Sequence, residues 1–294
     1  MKPESFASEV AARYRDQIRG ELSSLGKKIR LVGFLSTDQS ASLIYSQYTA
    51  AGCSDVGIEF ELVRSEPENL ANLISSANKD NNVNGILVYY PIFGTDKDKD
   101  FRQLVSPEKD VEGLNQFWFN KLYNNERFCD EHGGKKAILP CTPLAILKLI
   151  EAAHAENSKR TCFEGKTVTI FNRSEVVGAP LAYMIANDGA NVFSFDHNNA
   201  LLIRRSSKEE ANISRAEALS KSDIVISGVP NPKFKPILAN EVRADSICLN
   251  FAEIKNFELD IKNKVSCYIP RIGAVTVAML LRNTLRLHNN FQRV

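Results

Sequence analysis

Apolar residues recur in short, nearly continuous runs, and a longer stretch of helix-like pattern follows most of them. In the first half the runs are IRLVGFL (29–35), GIEFELV (57–63) and NGILVYYPI (84–92). In the second half they are KTVTIFN (166–172), ANVFSFD (190–196), SDIVISGV (222–229), DSICLNFA (245–252) and SCYIP (266–270). Their length and their β-branched and aromatic content predict strands, and hydrophobicity on successive residues predicts burial on both faces. Helices are predicted over 4–24, 39–53, 67–78, 142–155, 176–187 and 207–220. Alternation of the two patterns gives an α/β fold class, with a mainly parallel sheet in each half.

The halves meet near 140–160. There LPCTPLAILKLIEAAHA opens on a Pro-Cys-Thr-Pro turn, where Thr142 is placed to cap a helix beginning at Pro143. AENSKRTCFEGK then reads as a polar connector, and the charge run GTDKDKDFRQ (94–103) as a solvated loop. The final segment predicts a helix with Val277, Leu280, Leu281 and Leu285 on one stripe. A length of 294 residues suits two domains. A net charge of +2 gives no field that would favour nucleic acid, and no apolar run reaches the ~20 residues of a bilayer span. The opening MKPESFASEV lacks a hydrophobic signal core, so a cytoplasmic protein is expected. Six cysteines without Cys-x-x-Cys spacing read as reduced thiols, and four scattered histidines predict no metal site.

The stretch FNRSEVVGAP (171–180) links a strand to a helix. Asn172, Arg173 and Ser174 form the turn, and Gly178 lies at the helix start, where backbone N–H groups and the helix dipole favour an anion. The next strand ends at Asp196, whose carboxylate is placed to accept hydrogen bonds from both hydroxyls of a ribose and to repel a 2′-phosphate. That arrangement fits NAD better than NADP. The Gly-x-Gly-x-x-Gly pattern is incomplete, so an ordinary α/β turn with a solvated Asp is the competing reading.

FNRSEVVGAP resembles the Gly-Arg-Ser-x-x-Val-Gly-x-Pro segment of the methylenetetrahydrofolate dehydrogenase/cyclohydrolase family. Further segments match in the same order: SASLIYSQY (40–48), NGILVYYP (84–91), SPEKDVEGLN (106–115), LPCTPLAILKLI (139–150), SDIVISGVPN (222–231) and YIPRIGAVTVAMLLRNT (268–284). The resemblance is strongest to the monofunctional, NAD-dependent branch of fungal type. It implies a folate-binding catalytic α/β domain over 1–145, with the helix 274–294 packing back on it. It also implies a Rossmann NAD-binding domain over 146–273, ligands in the cleft between the two, a tetrahydrofolate substrate and a homodimer. One-carbon metabolism feeding purine biosynthesis is the implied setting. Asn172, Arg173, Ser174, Val177, Gly178, Asp196, His197, Gly228, Pro230 and Thr276 are implied to hold the cofactor. Tyr45, Tyr89, Glu112 and Pro270 are implied to hold the folate, with Tyr45, Thr49 and Cys141 at its reacting end.

Departures from the family pattern carry information. Position 49 holds Thr where the family has Lys, position 89 Tyr where it has Gln, and position 112 Glu where it has Asp. Asp196 and His197 stand where NADP-using members have His-Ser, and PRIGAVT is shorter and poorer in glycine than its counterpart. Removing hydride from the methylene carbon leaves a cation that its own nitrogens stabilise, so this step chiefly needs positioning. Hydrolysis of the methenyl product needs a proton-transferring pair, for which Thr49 and Tyr89 are unsuited. The sequence therefore predicts a dehydrogenase without cyclohydrolase activity. A bifunctional enzyme, or a silent folate- or nucleotide-binding subunit, are the alternatives. Tyr45 reads as a ring stacked on the pterin or aminobenzoyl group, or as a core aromatic. Glu112 reads as an acceptor for the pterin 2-amino and N3 hydrogens, or as a surface acid. Cys141 reads as a buried small residue or a ligand contact. Arg173 reads as a partner of Asp196, a pyrophosphate contact or a solvated side chain.

Overall fold

The computed structural model describes residues 3–154 and 162–292. Most of the predicted connector, 155–161, lies outside the described residues. The chain divides into two compact units, Ala11–Cys141 with Val277–Val294, and Met1–Val10 with Thr142–Thr276. Helix α1 is Pro3–Leu25.

The first unit holds a three-stranded parallel sheet, β1 (Arg30–Leu35), β2 (Glu59–Arg64) and β3 (Gly85–Val88), in the order β2-β1-β3. Strands β1 and β3 are buried almost throughout. Edge strand β2 is not, and its Glu59 and Glu61 pair with Lys28 and Arg30. Such charges discourage pairing with another chain's edge. Helices α2 (Ser40–Val56) and α3 (Pro67–Lys79) make the crossovers. Leu70 and Ile74 of α3 pack with Val32, Phe34, Ile86 and Val88 of the sheet. Each fully buried Leu or Ile contributes about 1.5–3 kcal/mol.

Two helices here escaped the sequence pattern. The charge run read as a loop contains α4 (Lys97–Leu104), which buries none of its residues. Asp98 and Asp100 lie in its first turn, where the helix dipole favours acids. Next, α5 (Gln116–Tyr123) is capped by the Asn115 side chain, which accepts from Phe117 N at 2.9 Å, and it buries Trp118.

The second unit holds a seven-stranded sheet ordered β10-β9-β8-β4-β5-β6-β7. Its strands are β4 (Thr167–Phe171), β5 (Asn191–Phe195), β6 (Ala200–Arg204), β7 (Ser207–Glu210), β8 (Ile224–Ser227), β9 (Ile247–Asn250) and β10 (Cys267–Ile269). All pairings are parallel except β5–β6 and β6–β7. The chain winds one way from β4 to β5 and the other way to β8. In open α/β sheets such a reversal is where ligands bind, at the carboxyl ends of the strands, here those of β4 and β8.

The helix expected over 207–220 is corrected: β6 and β7 form a hairpin, and only α8 (Arg215–Lys221) is helical. Antiparallel pairing supplies the hydrogen bonds that the exposed, charged SKEE segment could not secure as a strand alone. Ser214 caps α8 by accepting from Glu217 N at 3.2 Å. The expected cap at Thr142 is also corrected, since α6 (Cys141–His154) starts two residues before Pro143. Proline remains tolerated there because first-turn N–H groups lack helical acceptors. Helix α7 is Gly178–Asn187. Among the described residues, no helix is long and apolar enough to cross a membrane.

The last helix, α9 (Gly273–Phe291), closes the first unit with its segment from 277 onward. A Cβ on Gly52 of α2 would sit 2.7 Å from Val277 Cγ1, so the two helices approach closely there. Asn283, fully buried, donates to Val111 O at 3.0 Å and Leu139 O at 2.9 Å. Replacing Asn283 by Leu leaves Leu139 O without this donor and Val111 O with the weak thiol of Cys141. An orphaned carbonyl costs about 1–3 kcal/mol. The expected outcome is a lower urea midpoint for this unit. Fluorescence of Trp118, the single tryptophan, reports it directly. An unchanged midpoint would show that the bonds are dispensable.

Candidate functional site

Two clusters gather most of the predicted site residues. In the first unit, α2 presents Tyr45 and Thr49 one turn apart. The Tyr45 and Tyr89 rings meet edge to face, 5.7 Å between centroids at 82°. Thr49 is fully buried, and its hydroxyl donates to Tyr45 O at 2.9 Å. Tyr89 continues from the end of β3, with its N–H on Phe34 O at 3.0 Å. The Ser42 hydroxyl donates to Tyr90 O at 3.1 Å and steadies the same stretch.

Glu112 enters from the turn after β3's neighbouring segment, whose shape Asp110 holds. Asp110 is buried, and its carboxylate accepts from Gly113 N at 3.1 Å and Asn115 N at 2.7 Å. Burial pushes Asp110 up to about 6, against the pull of the surrounding N–H groups. Its role is thus to shape the turn. Cys141 joins the cluster through its N–H on Glu112 O at 3.2 Å.

Burial dominates the electrostatics of this cluster. Burial pushes the Glu112 carboxyl well above the usual range, Asp110 adds to the shift, and Arg102 opposes it. Glu112 as a residue is nonetheless half-exposed. Burial also raises Tyr45 well above its ordinary value, with Glu112 next in importance. The Cys141 thiol donates to Val111 O at 3.2 Å and is raised well above normal by burial, then by Glu112 and Asp110. A thiol in that state does not act as a thiolate nucleophile. Among the described residues, the Tyr89 and Tyr90 hydroxyls are buried without a hydrogen-bond partner of full geometry. Thr49 lies near enough to Tyr89 to oppose slightly the upward shift that burial causes. Orphaned buried hydroxyls are costly, and a polar ligand that reaches them recovers that cost.

The second cluster sits at the carboxyl ends of β4, β5 and β8. Gly178 opens α7 so close to the turn that a Cβ would lie 2.0 Å from Asn172 O. Only glycine allows this approach, which keeps the helix start flush with the turn. Asn172 Nδ2 donates to Gly228 O at 2.8 Å and ties the β4 and β8 turns together. At Gly228 a Cβ would strike the Phe251 ring at 2.0 Å. Buried Asn256 braces the same turn, accepting from Ser227 Oγ at 2.8 Å and from Val229 N at 2.7 Å.

Arg173 is the most constrained side chain of this cluster. Its Nη1 donates to Asp196 Oδ2 at 2.8 Å and Asn199 Oδ1 at 2.7 Å. Its Nη2 donates to Ser194 O and to Asn199 O, the latter at 2.9 Å, and Nε reaches Ser194 Oγ at 3.3 Å. All five guanidinium donors are therefore engaged. Asp196 Oδ1 accepts from Asn198 N at 2.8 Å and Asn199 N at 3.0 Å. Burial works against the Asp196 carboxylate, but the two N–H groups, Arg173 and His197 outweigh it and hold its pKa below normal. With about four acceptor sites on a carboxylate, roughly one stays open.

The remaining predicted positions are more loosely tied to these clusters. Ser174 N bonds Asn172 Oδ1 at 2.9 Å, and Val177 precedes α7. His197 is exposed in the turn after β5, and Pro230 follows the Gly228 turn. Pro270 leads out of β10, and Thr276 is buried in the first turns of α9, its hydroxyl on Ile272 O at 3.4 Å. Both belong to the second unit, apart from Tyr45, Tyr89 and Glu112. Asn199, Asn256, Asn283 and Arg102 were missed. Only Asn283 left a signal, as a polar residue within the apolar pattern of the last helix.

Comparison with known proteins covers both units. Residues 4–112 match the catalytic domain described as tetrahydrofolate dehydrogenase/cyclohydrolase, and residues 140–292 match the corresponding NAD(P)-binding domain. The methylenetetrahydrofolate dehydrogenase [NAD(+)] of Dictyostelium discoideum is 44% identical over 292 residues, covering 96% of this chain and 92% of that one. The protein of the same name from Schizosaccharomyces pombe is 40% identical over 294 residues, with 96% and 92% covered. The solved NAD-dependent 5,10-methylenetetrahydrofolate dehydrogenase of Saccharomyces cerevisiae superposes with a TM-score of 0.89 at 38% identity, covering 97% of this chain and 96% of that one. With both domains matched in order and each holding its own cluster, the chain belongs to the tetrahydrofolate dehydrogenase/cyclohydrolase family.

Proposed function

We propose that the protein oxidises 5,10-methylenetetrahydrofolate to 5,10-methenyltetrahydrofolate with NAD and leaves the product unhydrolysed. The single observation that carries the cofactor assignment is the full engagement of Arg173 beside Asp196. No guanidinium donor is left for a 2′-phosphate, and the Asp196 carboxylate repels one. The Gly178 turn and the free acceptor site of Asp196 fit the pyrophosphate and the ribose of NAD. When bound, NAD accepts a hydride.

The chain's own residues bind and align. Tyr45 offers a ring face to the folate, and Glu112 offers carboxylate oxygens to the pterin N–H groups. Ionised Glu112 is the form that accepts, and the two hydrogens of the pterin edge supply the hydrogen bonds its dry setting lacks. The pocket wall of Tyr45, Tyr89 and Cys141 excludes water from the methylene carbon. Hydride leaves that carbon with its electron pair, and the adjacent nitrogens share the positive charge that remains. Alignment of the reacting carbons at about 3–3.5 Å is the main requirement.

Hydrolysis would need a water deprotonated near the same carbon. Thr49 carries no amine, and its hydroxyl is already committed to Tyr45 O. Tyr89 stays protonated, because burial pushes its pKa up. Neither supplies a base near neutral pH.

The test of the overall reading is reduction of NAD and of NADP in the presence of this folate. Wild type is expected to use NAD, and comparable use of NADP would overturn the Asp196 assignment. Asp196→Ser removes a charged partner worth about 1.5–3 kcal/mol, or roughly ten- to a hundredfold in affinity. It should weaken NAD by that factor and narrow the gap to NADP, because a donor of Arg173 becomes free.

Tyr45→Ala and Glu112→Gln should raise the folate KM or lower kcat while the NAD dissociation constant holds. Unaltered folate kinetics in both variants would place the pterin elsewhere.

Wild type should not accelerate decay of methenyltetrahydrofolate absorbance over buffer. Thr49→Lys alone should not restore hydrolysis, since the amine also needs a positioned partner; Thr49→Lys with Tyr89→Gln is the better restoration. Clear acceleration by wild type would refute the monofunctional reading.

A further inference from the structure

Away from both clusters, a pocket of about 260 Å³ opens between α1, α9 and the turn at 134–136. Its lining lies wholly within the first unit. Three cations, Lys136, Arg282 and Arg286, line it with one carboxylate, Glu21. Arg282 and Arg286 are four residues apart on α9, so their guanidinium groups share one face, a spacing at which like charges oppose helix formation. The Arg282 guanidinium lies over the Tyr14 ring, 5.5 Å from its centroid, which favours a fixed plane. Among the described residues, neither arginine forms a hydrogen bond or salt bridge. Burial pushes the Arg286 pKa down, the charge of Arg282 adds to this, and Glu21 opposes it. The pocket also holds Asn289, whose Oδ1 is buried without a partner.

Two guanidinium groups on one face of α9, with Lys136 beside them and Glu21 as the one carboxylate of the lining, leave the pocket with an excess of positive charge. A ligand with several anionic oxygens removes it. We propose that this pocket binds the phosphate monoester group of a small metabolite. Guanidinium forks match phosphate oxygens in pairs. Asn289 Oδ1 is an acceptor and requires a donor, which a singly protonated phosphate or a neighbouring hydroxyl of the metabolite supplies. Sulfate and carboxylate carry no such hydrogen near neutral pH. The volume lies below the about 300–1,000 Å³ of drug-sized sites, which selects a small ligand over a polymer.

The test is calorimetric titration of inorganic phosphate into the whole enzyme at mildly acidic pH. Saturating NAD is present, so that the turn after β4 is already filled. One phosphate per chain is expected, with affinity lowered about tenfold or more in both Arg282→Gln and Arg286→Gln, as for loss of a charge-assisted bond. Inorganic sulfate should bind more weakly than phosphate. Dehydrogenase activity should persist in both variants, which shows that they fold, and Lys136→Gln gives a further variant on a separate segment. Absence of phosphate binding, or equal phosphate affinity in wild type and all three variants, would overturn the site. Sulfate binding as tightly as phosphate would overturn the monoester assignment.

Discussion

Loops that carry chemistry at the ends of parallel strands are buried, and a buried peptide group needs a partner. This constraint governs both units. In the first, Asp110 takes the N–H groups of its own turn, and Asn283 reaches from α9 to the carbonyls of Val111 and Leu139. Glu112 and Cys141 are held by the loops so fixed. In the second, Asn172 and Asn256 do the same for the turns after β4 and β8. The side chains that make the site possible are therefore amides and a carboxylate that touch backbone, with the ligand-facing groups displayed on top of them.

The proposed basis of cofactor preference is how a guanidinium is used. A free Arg173 in this turn would be a ready partner for a phosphate. Here it is folded back onto Asp196, Ser194 and Asn199, and its charge adds to the Asn199 and Asn198 N–H groups in holding the Asp196 pKa below normal. One arrangement removes the donor that NADP would use and installs the carboxylate that disfavours it. The two residues act as a pair, and neither has its meaning without the other.

The cluster proposed for folate shows the complementary economy. Hydride transfer draws its stabilisation from the substrate's nitrogens, so the protein can dispense with acid–base groups if it positions the carbon and excludes water. Tyr45, Tyr89 and Cys141 make a low-dielectric wall in which tyrosine and cysteine stay protonated. A lysine at position 49 would have to lose its charge or find a partner in that setting.

Much of this was legible in the residues alone. Continuous apolar runs marked the buried parallel strands, because burial on both faces leaves no room for alternation. Asp196 at the end of a strand and Gly178 at a helix start were readable because they depend on local geometry, and the replacements at 49, 89 and 112 stood out against the family motifs. The hairpin β6–β7 was misread, since SKEE has no intrinsic strand preference and is held only by pairing with β6. Helix α4 was misread because none of its residues is fully buried and only Phe101 packs on the core, which leaves no apolar period. Composition could not reveal that all five donors of Arg173 are consumed, that the Cys141 thiol is kept protonated, or that Arg282 and Arg286 converge with Lys136. Those facts arise from partners far apart in the chain, and hydrogen bonding, desolvation and charge depend on distance in space.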